Sequence, residues 1–163
     1  MEKKYFPLYV DISEKKMVVI GGGVIATRRV KTLLAFAENI VVVAPEITQE
    51  LQELHNQGCI SWLQECYDMK QLQNADMVIA ATNQPEINHQ VKADCQAIEK
   101  TTGCQILVSV IDDNNLCDFY FPSIIQNEEM VIGINSGGKS PSKTKKIRQK
   151  IEALLNCESI YES

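Results

Sequence analysis

No stretch of this 163-residue chain approaches the roughly 18 consecutive apolar residues that a membrane-crossing helix needs, which excludes a helical membrane protein. Its six cysteines (Cys59, Cys66, Cys95, Cys104, Cys117 and Cys157) include no C-x-x-C pair, and neither His55 nor His89 stands at ligand spacing from any two of them. Zinc sites and thioredoxin-like redox centres both require such tight spacings, so neither is expected, and no metal ligand is assigned. The thiols should be reduced and buried, acting as small hydrophobes. His55 lies in a polar helical stretch and should be exposed. Met1-Glu2-Lys3-Lys4 leads to Pro7 and Asp11 rather than into a long apolar core, so a secretory leader is not expected. There is no internal repeat and no low-complexity tract. These absences lead to the expectation of a soluble, cytoplasmic globular protein.

Acids are missing from one segment. Between Met130 and Ile151 there is none, but there are six bases: Lys139, Lys143, Lys145, Lys146, Arg148 and Lys150. With those six of the 16 bases set aside, the remaining ten face all 21 acids, a balance of −11 behind the overall −5. Such a segment suits either a polyanionic partner or a solvated helix face. Nucleic acid is not the expected partner, since its general binders spread positive charge more widely.

What is present resembles an ordinary globular chain, 45% apolar and 23% charged. A chain of this length buries about 68–70% of its unfolded surface and needs neither disulfides nor a structural metal to fold. Short β-branched runs alternate with helical periodicity. Strands are expected at 17–20, 40–43, 60–63, 77–80 and 106–110, with helices at 24–37, 48–57 and 85–100. Gly58 suits a helix C-cap. This alternation argues for a doubly wound α/β fold, a parallel sheet covered on both faces. After Asp112 the pattern changes to two strand-like runs, 119–125 and 130–135, joined by a polar turn that reads as a β-hairpin. Ser140-Pro141 then starts a final helix, as N-cap and first helical residue, running to about 155.

Gly21-Gly22-Gly23-Val24-Ile25-Ala26 fits G-x-G-x-x-G/A, between a strand and a helix near the N-terminus. In that context it is the Rossmann-like dinucleotide turn. The first glycine permits the tight turn, Gly23 lets backbone approach a pyrophosphate, and Ala26 keeps helix and strand close. The acid usually found after the second strand is missing, because Val43 is followed by Ala44-Pro45. Glu46 is the nearest carboxylate, and either bonds the cofactor ribose or is an exposed loop acid. Ala80-Ala81-Thr82-Asn83 ends the fourth strand, where small residues leave room for a ligand. The cofactor-binding residues expected are therefore Gly21, Gly22, Gly23, Val24, Ile25, Pro45, Glu46, Thr82 and Asn83, a set that by itself leaves NAD and NADP open.

These segments occur in order with Pro7-Leu8-Tyr9, Asp112-Asp113, Phe119-Tyr120-Phe121-Pro122 and Ser136-Gly137-Gly138-Lys139-Ser140-Pro141. Together they make a chain that resembles the precorrin-2 dehydrogenase family, the dehydrogenase/chelatase part of siroheme synthase, over nearly its whole length. The resemblance implies oxidation of precorrin-2 to sirohydrochlorin with NAD, and in some members insertion of iron or cobalt. It implies a homodimer, with an NAD-binding domain at 1–115, a dimerisation β segment at 116–139 and the start of a helical domain at 140–163. Only the first helix of that last domain is recognisable, so weak or absent ferrochelatase activity is expected. Asp112 matches the family's catalytic aspartate, and Asn88, Ser136, Gly137, Gly138 and Lys139 fall where substrate is bound. Lys139 is either a contact for the polycarboxylate tetrapyrrole or a solvated loop lysine, and His89 is expected to be incidental. Ser109 replaces a common family Asn, and Ser142-Lys143-Thr144 replaces apolar residues. From another class, a non-catalytic NAD-sensing regulatory module would also account for the glycine turn. It would not need the Phe-Tyr-Phe-Pro or Gly-Gly-Lys-Ser-Pro segments.

Overall fold

A computed structural model describes residues 5–127, 130–137 and 140–155. They fall into two compact units, one ending at Phe119 and the other beginning at Tyr120. In the first unit, β1 (Met17–Ile20), β2 (Ile40–Val43), β3 (Ser61–Leu63), β4 (Met77–Ala80) and β5 (Leu107–Val110) form one sheet, connected through α1 (Val24–Leu33), α2 (Gln49–Asn56) and α3 (Pro85–Thr102). All neighbours are parallel and the order is β3-β2-β1-β4-β5. The Rossmann-like, doubly wound arrangement inferred from the alternation is therefore present.

The strand sequences explain why the sheet is central. Every residue of β1 is buried, and β-branched side chains on both faces of β1, β2 and β4 fill the space beneath the helices. The register decides where a ligand can bind. Ile20 pairs with Val43 on one side and Ala80 on the other, and Ala80 pairs with Val110. These four strands therefore finish level. The order also reverses at β1 and β4, and it is outside the carboxyl ends of the strands at such a reversal that doubly wound sheets bind their ligands.

Several local expectations change. The first helix ends at Leu33 rather than 37, because the amides of Phe36 and Ala37 both turn back to the Leu33 carbonyl, at 2.8 and 2.9 Å. Ala37 stays buried in the turn that returns the chain to β2. The α3 helix continues to Thr102, where Gly103 adopts the left-handed conformation that ends it. Gly58 does the same after α2. Of the described cysteines only Cys95 and Cys117 are buried; Cys59, Cys66 and Cys104 lie exposed in connections outside the sheet. Nor is His55 exposed: it is half-buried, edge-on to Trp62 with ring centroids 5.9 Å apart.

In the second unit, β6 (Ser123–Gln126) and β7 (Val131–Ile134) form an antiparallel hairpin, shorter than the runs 119–125 and 130–135, and α4 (Pro141–Leu155) lies against β6. Ile125 is its one buried hydrophobic residue among those described. Four of the six bases, Lys143, Lys145, Lys146 and Lys150, are exposed on α4, while Arg148 is half-buried and pairs with Glu152 at 2.5 Å. Lys139 lies outside the described residues, as do the turn residues 128 and 129. No helix among the described residues is long and apolar enough to cross a membrane.

Candidate functional site

The glycine turn that follows β1 divides its three residues between two tasks. Gly21 has φ +119°, and a Cβ there would lie 2.4 Å from the carbonyl oxygen of Ala81. At Gly22 a Cβ would lie 2.1 Å from the carbonyl oxygen of Glu46. The loops after β2 and β4 thus rest directly on the first two glycines. Gly23 is different, because a Cβ there would meet nothing within 4 Å.

Gly23 is also the N-cap of α1, with no side-chain cap and no acid in the first turn. The first intrahelical bond runs from the Thr27 amide to the Gly23 carbonyl at 2.9 Å. The amides of Val24, Ile25 and Ala26 consequently have no acceptor within the helix. Val24 and Ile25 are exposed, whereas Ala26 is buried against the sheet. Unoccupied donors, the positive end of a helix dipole and bare backbone at Gly23 therefore face the same open space. A dinucleotide's pyrophosphate fits these requirements.

Two loops flank that space. After β2, the Ala44 carbonyl accepts a hydrogen bond from the Trp62 indole at 2.9 Å, and the Gly22 carbonyl accepts the Thr48 amide at 3.0 Å. Pro45 and Glu46 stand exposed on this loop. After β4, Ala81 is buried, Thr82 half-buried and Asn83 exposed. Asn88 is wholly buried, and its amide is engaged with Thr82. Its Oδ1 accepts from the Thr82 amide (3.0 Å) and hydroxyl (2.8 Å), and its Nδ2 donates to the Thr82 carbonyl (3.2 Å). The side chain matched to a substrate contact thus shapes the cofactor loop from within.

Beyond β5, the Ile111 amide bonds to the Ala80 carbonyl, which keeps the loop after β5 beside the one after β4. Asp112 follows and is exposed. Asp113 accepts the Asn115 amide at 2.9 Å, capping the short 3₁₀ turn Asn114–Leu116. Its other oxygen lies 3.8 Å from His89 Nε2, so the histidine expected to be incidental has a carboxylate partner. A further pair was not anticipated: Lys92, 8% exposed, with Asp118. The available signal was spacing, since Asn88, Val91, Lys92 and Cys95 occupy one helical face.

In the second unit, Ser136 Oγ accepts the Ser140 amide at 3.2 Å. Gly137 adopts φ +63° and donates its amide to Asn135 Oδ1 at 2.8 Å. Gly138 lies outside the described residues together with Lys139. The Ser140 carbonyl accepts from both the amide and the hydroxyl of Thr144, each at 3.1 Å, which starts α4 where Ser-Pro suggested. Among the described residues, no group of three or more His, Cys, Asp or Glu side chains is placed to hold a metal ion.

Comparison with known proteins agrees with this geometry. Residues 8–123 match the NAD_binding_7 family, described as "Putative NAD(P)-binding". The chain is 43% identical over 150 residues to a "Probable multifunctional siroheme biosynthesis protein HemA" from Ruminiclostridium josui, covering 91% of this chain and 28% of that protein. It is 36% identical over 151 residues to a siroheme synthase of Actinobacillus pleuropneumoniae serotype 3 (strain JL03), covering 93% and 30%. The chain thus spans less than a third of the length of these curated relatives. Among solved structures it is similar to SirC, precorrin-2 dehydrogenase, with a TM-score of 0.76 at 25% identity, covering 91% of this chain and 70% of that one. On its matched fold and an open glycine turn in the expected place, the chain belongs to the NAD_binding_7 family of NAD(P)-binding proteins.

Proposed function

We propose that this protein is an NAD-dependent dehydrogenase that oxidises precorrin-2 to sirohydrochlorin in siroheme biosynthesis, and that it works in the cytoplasm. The observation that carries the reading is the open backbone at the end of the glycine turn. Bare backbone at Gly23 opens beside the Thr82 loop, and Asp112 leaves the sheet at the same end. The similarity to SirC supports the choice of substrate.

When bound, NAD supplies the hydride acceptor. The chain's own residues then do the rest. Backbone at Gly23 and the amides of Val24 and Ile25 would hold the pyrophosphate, on a turn that Gly21 and Gly22 close against the neighbouring loops; Pro45 and Glu46 would border the adenosine ribose. Thr82 and Asn83 form the opposite rim, with Asn88 as the positioning residue behind them. Loss of a hydride leaves the substrate with a proton to release, and Asp112, an exposed carboxylate, accepts it. Ser136, Gly137, Gly138 and Lys139 bind the tetrapyrrole carboxylates, assisted by the acid-free stretch of α4. Two copies associate through residues 116–139, with residues 1–115 as the cofactor domain and residues 140–163 as a separate C-terminal segment. Nucleic acid is not a partner in this reading.

The test is anaerobic incubation with precorrin-2 and NAD, following sirohydrochlorin by absorbance. The expected result is product formation that requires NAD and falls by roughly 10²-fold or more in Asp112→Asn, the usual range for a lost general base. An absence of NAD-dependent product would overturn the assignment. Light scattering checks the dimer.

A further inference from the structure

Two polar side chains are buried one turn apart on α3. Asn88 and Lys92 stand at i and i+4, 0% and 8% exposed, and share a face with the apolar Val91 and Cys95. Burying such groups is unfavourable unless each finds partners. Asn88 finds them in the loop after β4, at Thr82.

Lys92 finds its partner on the other side, in the segment that follows β5. Its Nζ lies 2.8 and 2.6 Å from the two carboxylate oxygens of Asp118. The second of those oxygens also accepts the Val108 amide at 2.9 Å, and the Asp118 amide donates to the Val108 carbonyl at 2.8 Å. Residue 118 is therefore joined to the edge strand β5 through both its backbone and its side chain. One residue earlier, Cys117 Sγ lies 3.2 Å from both the amide nitrogen and the carbonyl oxygen of Val110.

The intervening residues 111–116 make a loop closed at both ends. It leaves β5 after Val110 and returns to it at Cys117, and it carries Asp112. From this arrangement we infer that Lys92 is a positioning residue, fixing the Asp112 loop through Asp118 while Asn88 fixes the Thr82 loop. A single buried face of α3 then sets the separation between the proton acceptor and the cofactor crevice. This rests on the reading of Asp112 as the base. Its physical importance comes from proximity: a displacement of about 1 Å at a reacting group can cost about 10²-fold in rate.

The test uses the full chain with Lys92→Met, Asp118→Asn, Asp112→Asn and the double variant Lys92→Met/Asp112→Asn. Asp118 is 31% exposed at its side chain, so in Lys92→Met water can solvate the carboxylate and the fold is retained. Both single variants of the pair should fold, by circular dichroism, and bind NAD with a Kd within about twofold of the parent. Their kcat should fall at least about tenfold, with the KM for NAD unchanged. Adding Lys92→Met to Asp112→Asn should cost nothing further, because the lysine acts only through that loop. A folded Lys92→Met with the parent kcat, beside an inactive Asp112→Asn, would overturn the inference alone. So would an additive loss in the double variant, or failure of both Lys92→Met and Asp118→Asn to fold, which would make the pair a scaffold contact. Full activity of Asp112→Asn would instead overturn the reading of the base, and the inference with it.

Discussion

The Cβ that Gly21 lacks would stand 2.4 Å from the carbonyl oxygen of Ala81, so the turn after β1 and the loop after β4 meet backbone to backbone. No side chain can enter that contact without moving one loop away from the other. The φ of +119° adds a second requirement, since only glycine adopts it without strain. Gly23, two residues later, has extended backbone and open space instead.

Gly21→Ala and Gly23→Ala should therefore behave oppositely. Gly21→Ala is expected to lower stability by about 2 kcal/mol or more, from overpacking plus backbone strain. Gly23→Ala should stay within about 1 kcal/mol of the parent, the range for an N-cap change, yet weaken NAD binding at least about tenfold because its methyl occupies the space the pyrophosphate needs. Urea unfolding and NAD titration by fluorescence separate the two effects.

Asn88→Ala removes a wholly buried side chain that partners three groups of the half-buried Thr82. Unsatisfied buried groups cost about 1–3 kcal/mol, so the unfolding free energy should fall by about that amount. NAD affinity should fall as well, since the Thr82 loop loses its internal brace. A variant with parent stability and affinity would remove Asn88 from its positioning role.

Acid should release one fastening at the opposite end of the sheet. Asp76 accepts the Lys16 amide at 2.9 Å and the Lys15 ammonium at 3.1 Å. The Lys16 amide first, and then Lys15, hold its carboxyl below the ordinary carboxylate value. A folded-state pKa below the unfolded value near ~3.9 gives stability that is complete above that pH and lost as pH falls through the folded value. The stability difference between the parent and Asp76→Ala should thus be constant from about pH 7 to 5 and narrow below about pH 4. Its size should be small, as for other solvent-accessible pairs. Urea midpoints at stepped pH measure it.

Thiol labelling should divide by burial. Burial pushes the Cys95 thiol up to about 12, and Cys95 is shut off from solvent. Cys117 is likewise buried. Maleimide at neutral pH, read by peptide mass mapping, should modify Cys59, Cys66 and Cys104 in the native protein. Cys95 and Cys117 should react only on unfolding. Rapid native modification of Cys95 would contradict the packing beneath α3.

Much of the cofactor half was legible because its signals are local. A run such as Met17-Val18-Val19-Ile20 suits a strand buried on both faces, and glycine turns and caps depend on the backbone freedom of one or two residues. Asp112 could be placed at the end of β5 by counting along the chain. The pairing of Lys92 with Asp118 could not, because 26 residues separate them and a lysine on a helix is ordinarily solvent-facing. The same limit applied to Asn88, whose residue type suits a ligand contact as well as an internal brace. For the cysteines, composition alone could not separate Cys95, on the buried face of α3, from Cys59, in a connecting turn.

By itself, then, the amino-acid sequence determined the strand–helix alternation, the glycine turn and the acid-free segment, because each depends on neighbouring residues and backbone stereochemistry. Only the tertiary structure decided that Gly21 touches Ala81 while Gly23 faces open space, and that one buried face of α3 holds the loops after both β4 and β5. Those relations depend on strand order and register, which bring residues far apart in the chain to the same end of the sheet.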